Sequence, residues 1–97
     1  MAMWMVDYTY NDQHQARDQH RPAHRAFLAA LVDTGQMLAY GRFDDDGPAG
    51  ALLIVEAPSA VAVADLLADD PFAREGLISD TRVRRWAGVW GAVPRSD

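Results

Sequence analysis

The stretch from Ala51 to Pro71, "ALLIVEAPSAVAVADLLADDP", decides how this chain folds. Ala51 to Ala57 form a near-continuous apolar run, the pattern of a strand buried on both faces. Ser59 then supplies a hydroxyl suited to capping a helix. Val63, Leu66 and Leu67 follow at helical spacing and give it a buried stripe. Pro71 restricts Asp70 to extended or turn geometry, so this helix ends near Asp69.

Outward from that unit, "DDDGPAG" before Ala51 reads as a turn, and Gln36 to Phe43, "QMLAYGRF", as the strand it joins. Farther upstream, Met3 to Tyr10, "MWMVDYTY", is short and rich in aromatic residues, which predicts a strand. A polar connection, "NDQHQARDQH", leads to an apolar set at Phe27, Leu28, Leu31 and Val32, flanked by Ala23 and Ala30. That periodicity predicts a helix closed by Gly35. Two starts compete. Pro22 suits the first helical position with Arg21 outside, whereas Asp18 as cap would place Pro22 one turn in, at the cost of a backbone bond. The later start is favoured. Downstream, "PFAREGLI" reads as one helical turn closed near Gly76. "TRVRRWAGVW", Thr81 to Trp90, reads as a last strand with a loose tail.

The order strand, helix, strand, strand, helix, strand is the ferredoxin-like βαββαβ pattern of α+β proteins. It predicts a four-stranded antiparallel sheet with both helices on one face. Trp4, Met5, Leu53, Ile54 and Trp86 supply apolar side chains to both faces. An apolar sheet face left in water is a liability, so face-to-face homodimerisation is expected.

Ninety-seven residues, 49% hydrophobic and 24% charged, fit one domain over 1–97, with a core from about residue 3 to 90. The formal net charge of −5 argues against a nucleic-acid partner. All nine basic residues are arginine, a bias read as compositional. The absence of cysteine removes disulfides and thiolate chemistry. No apolar run approaches a membrane span and the first residues lack a signal-peptide pattern, so a cytoplasmic protein without membrane contact is expected.

Two residues carry the chemical reading. His24 falls in line with Phe27, Leu28 and Leu31. Taken alone it is more often a buried histidine bonded to a carbonyl than a base. In the first turn of a helix begun at Pro22, the dipole and burial both favour the neutral ring that a base needs. Asp70, held in front of a proline, is either a turn residue or a carboxylate that orients His24 and favours its imidazolium. Asp69, at the helix end, is expected to be solvated. His20 and His24 have metal-ligand spacing, but Arg21 lies between them and no H-E-x-x-H pattern or cysteine accompanies them, so no metal is expected. Arg84 and Arg85 fall on opposite faces of the last strand.

Arg21 and His24 in "RPAH", Gly41 at the end of the second strand, and Asp70, Pro71 and Phe72 followed by Gly76 together resemble the YCII-related family over Met5 to about Trp90. The resemblance implies a dimeric α+β barrel and an active-site histidine and aspartate, which carry over to His24 and Asp70. The wider superfamily resembles muconolactone isomerases and includes a dehydrochlorinase of a chlorinated hydroxyquinol. That implies cofactor-free acid/base chemistry, of lyase or isomerase type, on a small oxygenated ring or lactone. The insertion that some members carry after the second strand is short here. Arg21 is read as the cation for an enolate or carboxylate, and Tyr8, Tyr40, Phe72 and Trp86 as the walls for a small-molecule ligand. The competing reading is a non-catalytic ligand-binding or accessory dimer in which the His–Asp pair is structural.

Overall fold

The computed structural model describes residues 1–88. The chain runs β1 (Ala2–Tyr10), α1 (His14–Asp33), β2 (Met37–Arg42), β3 (Gly50–Ala57), α2 (Ala60–Leu67), α3 (Pro71–Arg74) and β4 (Ile78–Trp86). The four strands form one antiparallel sheet in the order β2-β3-β1-β4. This is the ferredoxin-like arrangement that the element order predicts.

Strand register sorts the side chains between the two faces. Tyr8 lies opposite Ala51, Val6 opposite both Leu53 and Val83, and Trp4 opposite both Val55 and Arg85. These residues share the face covered by the helices. There Val6, Leu53, Val55 and Val63 are fully buried, and Leu28, Leu31 and Leu67 pack onto them. Burying each such side chain contributes about 1.5–3 kcal/mol. Met5, Ile54, Leu52, Arg84 and Trp86 project from the other face. Ile54 is buried there, while Leu52 and Trp86 stay 38% and 39% exposed. The strand at Ala51 to Ala57 is thus closed on the helix face and only partly covered on the other.

The first helix departs from both expected starts. It begins at His14, so Pro22 lies inside it. The extra turns have their own anchors. Asn11 Oδ1 accepts the Gln13 N–H at 3.1 Å, and buried Arg17 donates to the Asn11 carbonyl and to His14 Nδ1. Pro22 removes one backbone donor, yet its position is exposed, and water can meet the freed carbonyl of Asp18. His24 is consequently mid-helix, and the argument from the helix N-terminal dipole does not apply to it. The helix closes through Gly35, whose φ of +81° favours glycine.

Ser59 caps α2, its Oγ accepting the Ala62 N–H at 3.1 Å. The last strand begins at Ile78, three residues before the expected start, because Tyr10 pairs with Ile78 beyond an irregularity at the end of β1. Val89, Trp90 and the expected loose tail lie outside the described residues. No helix among the described residues is long and apolar enough to cross a membrane.

Candidate active site

The Asp-Pro-Phe sequence builds the centre of the site. Asp70 is the cap residue of α3, and its Oδ1 accepts the Phe72 N–H at 2.9 Å. Pro71 occupies the start of that helix, where its missing N–H costs nothing. The same Oδ1 lies 2.7 Å from His24 Nδ1, and Oδ2 accepts the Tyr8 hydroxyl at 3.3 Å. Asp70 is 0% exposed. A buried carboxylate with every partner in place avoids the large cost of an unpaired charge.

These bonds decide the histidine tautomer. Both carboxylate oxygens already act as acceptors, toward Phe72 and Tyr8. His24 Nδ1 is therefore the donor, and in the neutral ring Nε2 carries the lone pair. His24 Nε2 makes no hydrogen bond among the described residues, where no buried side-chain nitrogen or oxygen lacks a partner. That nitrogen is therefore open to the cavity that His24 lines. Phe72 fixes the ring plane from below. The two rings are stacked 2° from parallel with centroids 3.9 Å apart, and Tyr10 meets Phe72 edge-on at 5.4 Å.

The cavity has a volume of about 260 Å³ and lies between α1, the β2–β3 edge and α3. Leu28, Ala51, Leu53 and Phe72 form its apolar floor, and Tyr40 and Tyr10 stand at the sides. Arg21 also lines it, ion-paired with Asp18. Of the residues expected at the site, the fold brings together His24, Asp70, Phe72, Tyr40 and Arg21. Two expected wall residues lie elsewhere. Tyr8 is buried behind Asp70 as its hydrogen-bond donor and does not line this cavity. Trp86 pairs in register with Met3 and projects from the opposite face of the sheet.

Burial and the neighbouring Asp70 push the Tyr8 phenol far above its usual range, and the same causes push Tyr10 up to about 12. Asp18 is held low by its bond to Arg21. Asp69 is exposed and pairs with Arg74 at 2.9 Å.

Sequence reading passed over Tyr10, Arg25 and Arg42, which also line the cavity, and buried Arg17, whose guanidinium lies 5.2 Å from the Tyr10 ring centroid. Arg25 was legible in principle, since it stands four residues after Arg21 on the face that carries His24. Arg42 required knowledge of the β2–β3 register, in which it pairs with Ala51.

Comparison with known proteins places these features. The family profile described as "YCII-related domain" matches residues 1–87. Among solved structures, 5-chloro-2-hydroxyhydroquinone dehydrochlorinase from Burkholderia phenoliruptrix AC1100, in complex with 2,5-dihydroxybenzoquinone, superposes with a TM-score of 0.72 at 28% identity, covering 87% of this chain and 92% of that one. An antibiotic biosynthesis monooxygenase gives a TM-score of 0.56 at 22% identity over 92% of this chain and 99% of its own. A putative monooxygenase of the same description from Deinococcus radiodurans gives 0.56 at 14% identity, covering 99% of this chain and 100% of its own. At those two lower identities the likeness concerns the fold alone. Comparison with curated proteins returns no match.

Proposed function

Because the chain belongs to the YCII-related domain family, we propose that it is an acid/base enzyme of lyase or isomerase type, acting without a cofactor on a small oxygenated ring or lactone. The observation that carries this reading is His24 Nε2, open to a cavity while Nδ1 is held by a fully buried carboxylate. In the proposed reaction Nε2 takes a proton from a carbon beside a carbonyl. The C–H electron pair becomes a double bond. Either a leaving group departs from the neighbouring carbon with its bonding pair, or the proton returns at another carbon. Asp70 stabilises the imidazolium formed in between. Arg21 stabilises the enolate oxygen. Support comes from the similar solved structure, which is a dehydrochlorinase with a bound quinone.

We place this enzyme in a homodimer formed through the open face of the sheet. Leu52 and Trp86 are exposed there beside Ile54, and a second copy would remove this apolar surface from water.

A non-catalytic reading has one observation in its favour: the bonds of Asp70 tie α1, β1 and α3 together, which a purely structural pair would also do. A screen separates the two. Small lactones and hydroxyquinols are followed by absorbance, with His24→Ala as the control. Turnover that disappears in a folded His24→Ala protein supports the enzyme. Turnover retained in full by that variant sinks it.

A further inference from the structure

The charge on the cavity wall is the reverse of the charge on the chain. The chain is formally −5, yet three of its nine arginines, Arg21, Arg25 and Arg42, line one cavity, and among the described residues no aspartate or glutamate lines it. Two of the three have carboxylates beside them. Arg21 is bonded to Asp18, and Arg42 Nη1 stands 3.4 Å from Asp44 with both side chains exposed. Arg25 has no ion-pair partner among the described residues.

The placement follows from helix and strand periodicity. His24 and Arg25 stand three and four residues after Arg21, and Leu28 four and three residues after them, along one side of α1. Tyr40 and Arg42 alternate on β2, paired with Leu53 and Ala51 of the floor. The cavity thus has two ends. Its floor is apolar and carries the open nitrogen of His24. Its mouth carries guanidiniums from two separate elements, α1 and β2.

Resting on the acid/base reading of the same site, we infer that the ligand is a ring-bearing carboxylate, anchored by Arg25 with Arg42 across the mouth, its ring held between Tyr10 and Tyr40 toward His24. A guanidinium fork matches a carboxylate in shape as well as charge. The apolar floor would reject a bare inorganic anion, and the cationic mouth would favour the acid over its neutral counterpart. Arg25, not the already paired Arg21, is the principal anchor.

The test reads binding and needs no turnover, so its outcome is separate from that of the enzymatic reading. Benzoate and its neutral analogue benzamide are titrated into the full chain while the His24 ring resonances are followed. Benzoate is expected to shift them and to bind roughly tenfold more tightly than benzamide, with the difference shrinking as salt is added. Arg25→Gln is expected to weaken benzoate by about three- to tenfold and Arg21→Gln by less, both leaving benzamide unchanged. Arg42→Gln, on a different element, is expected to act in the same direction as Arg25→Gln. A His24→Asn protein should still bind benzoate, as followed by calorimetry. Equal binding of the two probes, no effect of Arg25→Gln in a folded protein, or no response to about ten millimolar benzoate overturns the inference.

Discussion

Phe72 holds His24 twice over. Its ring lies 3.9 Å from the imidazole, 2° from parallel, and its backbone N–H donates to the same Asp70 oxygen that receives His24 Nδ1. The short helix α3 therefore sets the plane of the imidazole and the direction of its hydrogen bond together. A base fixed in this way has one free nitrogen and one orientation, which is what positioned proton transfer needs.

Two substitutions at His24 separate chemistry from stability. His24→Ala removes one of the three hydrogen bonds to the buried Asp70 carboxylate, and should lower stability by about 1.5–3 kcal/mol. His24→Asn puts an amide donor near the position of Nδ1 and removes Nε2. It should keep more of the stability and lose about two to four decades of rate. Thermal unfolding and turnover measured on both variants check this. An active His24→Asn protein would show that Nε2 is not the base.

Asp70→Asn should act through the charge. Asparagine caps helices as well as aspartate does, so α3 is retained. Its oxygen, kept on Phe72 N–H, also stays in place to accept from His24 Nδ1, while the amide NH₂ takes the Oδ2 position beside the Tyr8 hydroxyl, so the tautomer is kept but the negative charge that stabilises the imidazolium is lost and the rate should fall. The expected stability loss is about 1–3 kcal/mol. Nitrogen NMR of the imidazole should show the Nδ1–H form retained while turnover falls, and unchanged turnover would refute this account.

Alkaline titration should destabilise the fold through its tyrosines. The chain has no lysine or cysteine, so between about pH 9 and 12 its titrating side chains are tyrosines. Tyr10 is pushed up to about 12 by burial and by Asp70, and Tyr8 lies higher still. In this window the unfolded chain loses protons that the folded chain keeps. Stability is thus complete below the ordinary phenol value of about 10 and falls as pH rises toward the folded values. Unfolding temperatures measured across this range, alongside near-ultraviolet absorbance of tyrosinate, should fall together with the first ionisation of the unfolded state. Tyr10→Phe should flatten the slope. A flat profile in the parent chain would contradict the assignment.

Leu52→Asp tests the homodimer. Leu52 is 38% exposed in the single chain, so a charge there costs the isolated fold little and places two like charges in a symmetric interface. Sedimentation should show a dimer for the parent and a monomer for the variant, with unchanged circular dichroism. A monomeric parent would remove the face-to-face assembly from consideration.

Much of this architecture was legible in the chain itself because its signals are local. Ser59, Gly35 and the Asp70–Pro71 pair mark helix ends through backbone chemistry that acts within a few residues, and the apolar run from Ala51 marks its strand. The start of α1 was not legible. Its first turns are held by Arg17 bonding back to Asn11 and His14, so a long polar side chain, not an apolar stripe, extends the helix upstream of Pro22.

The site divides in the same way. Local chemistry along the chain set the short-range parts: a carboxylate pinned by proline, a phenylalanine two residues on, and a histidine on the inner stripe of a helix. What they do to one another follows from long-range packing. The fold brought Asp70 across 46 residues to His24 Nδ1. It turned Tyr8 from an expected wall into a donor behind the carboxylate and sent Trp86 to the far face of the sheet. The physical reason is strand register, since a shift of one residue exchanges the two faces of a sheet. Composition and periodicity show which residues alternate. Register against neighbouring strands settles which of them reach the cavity.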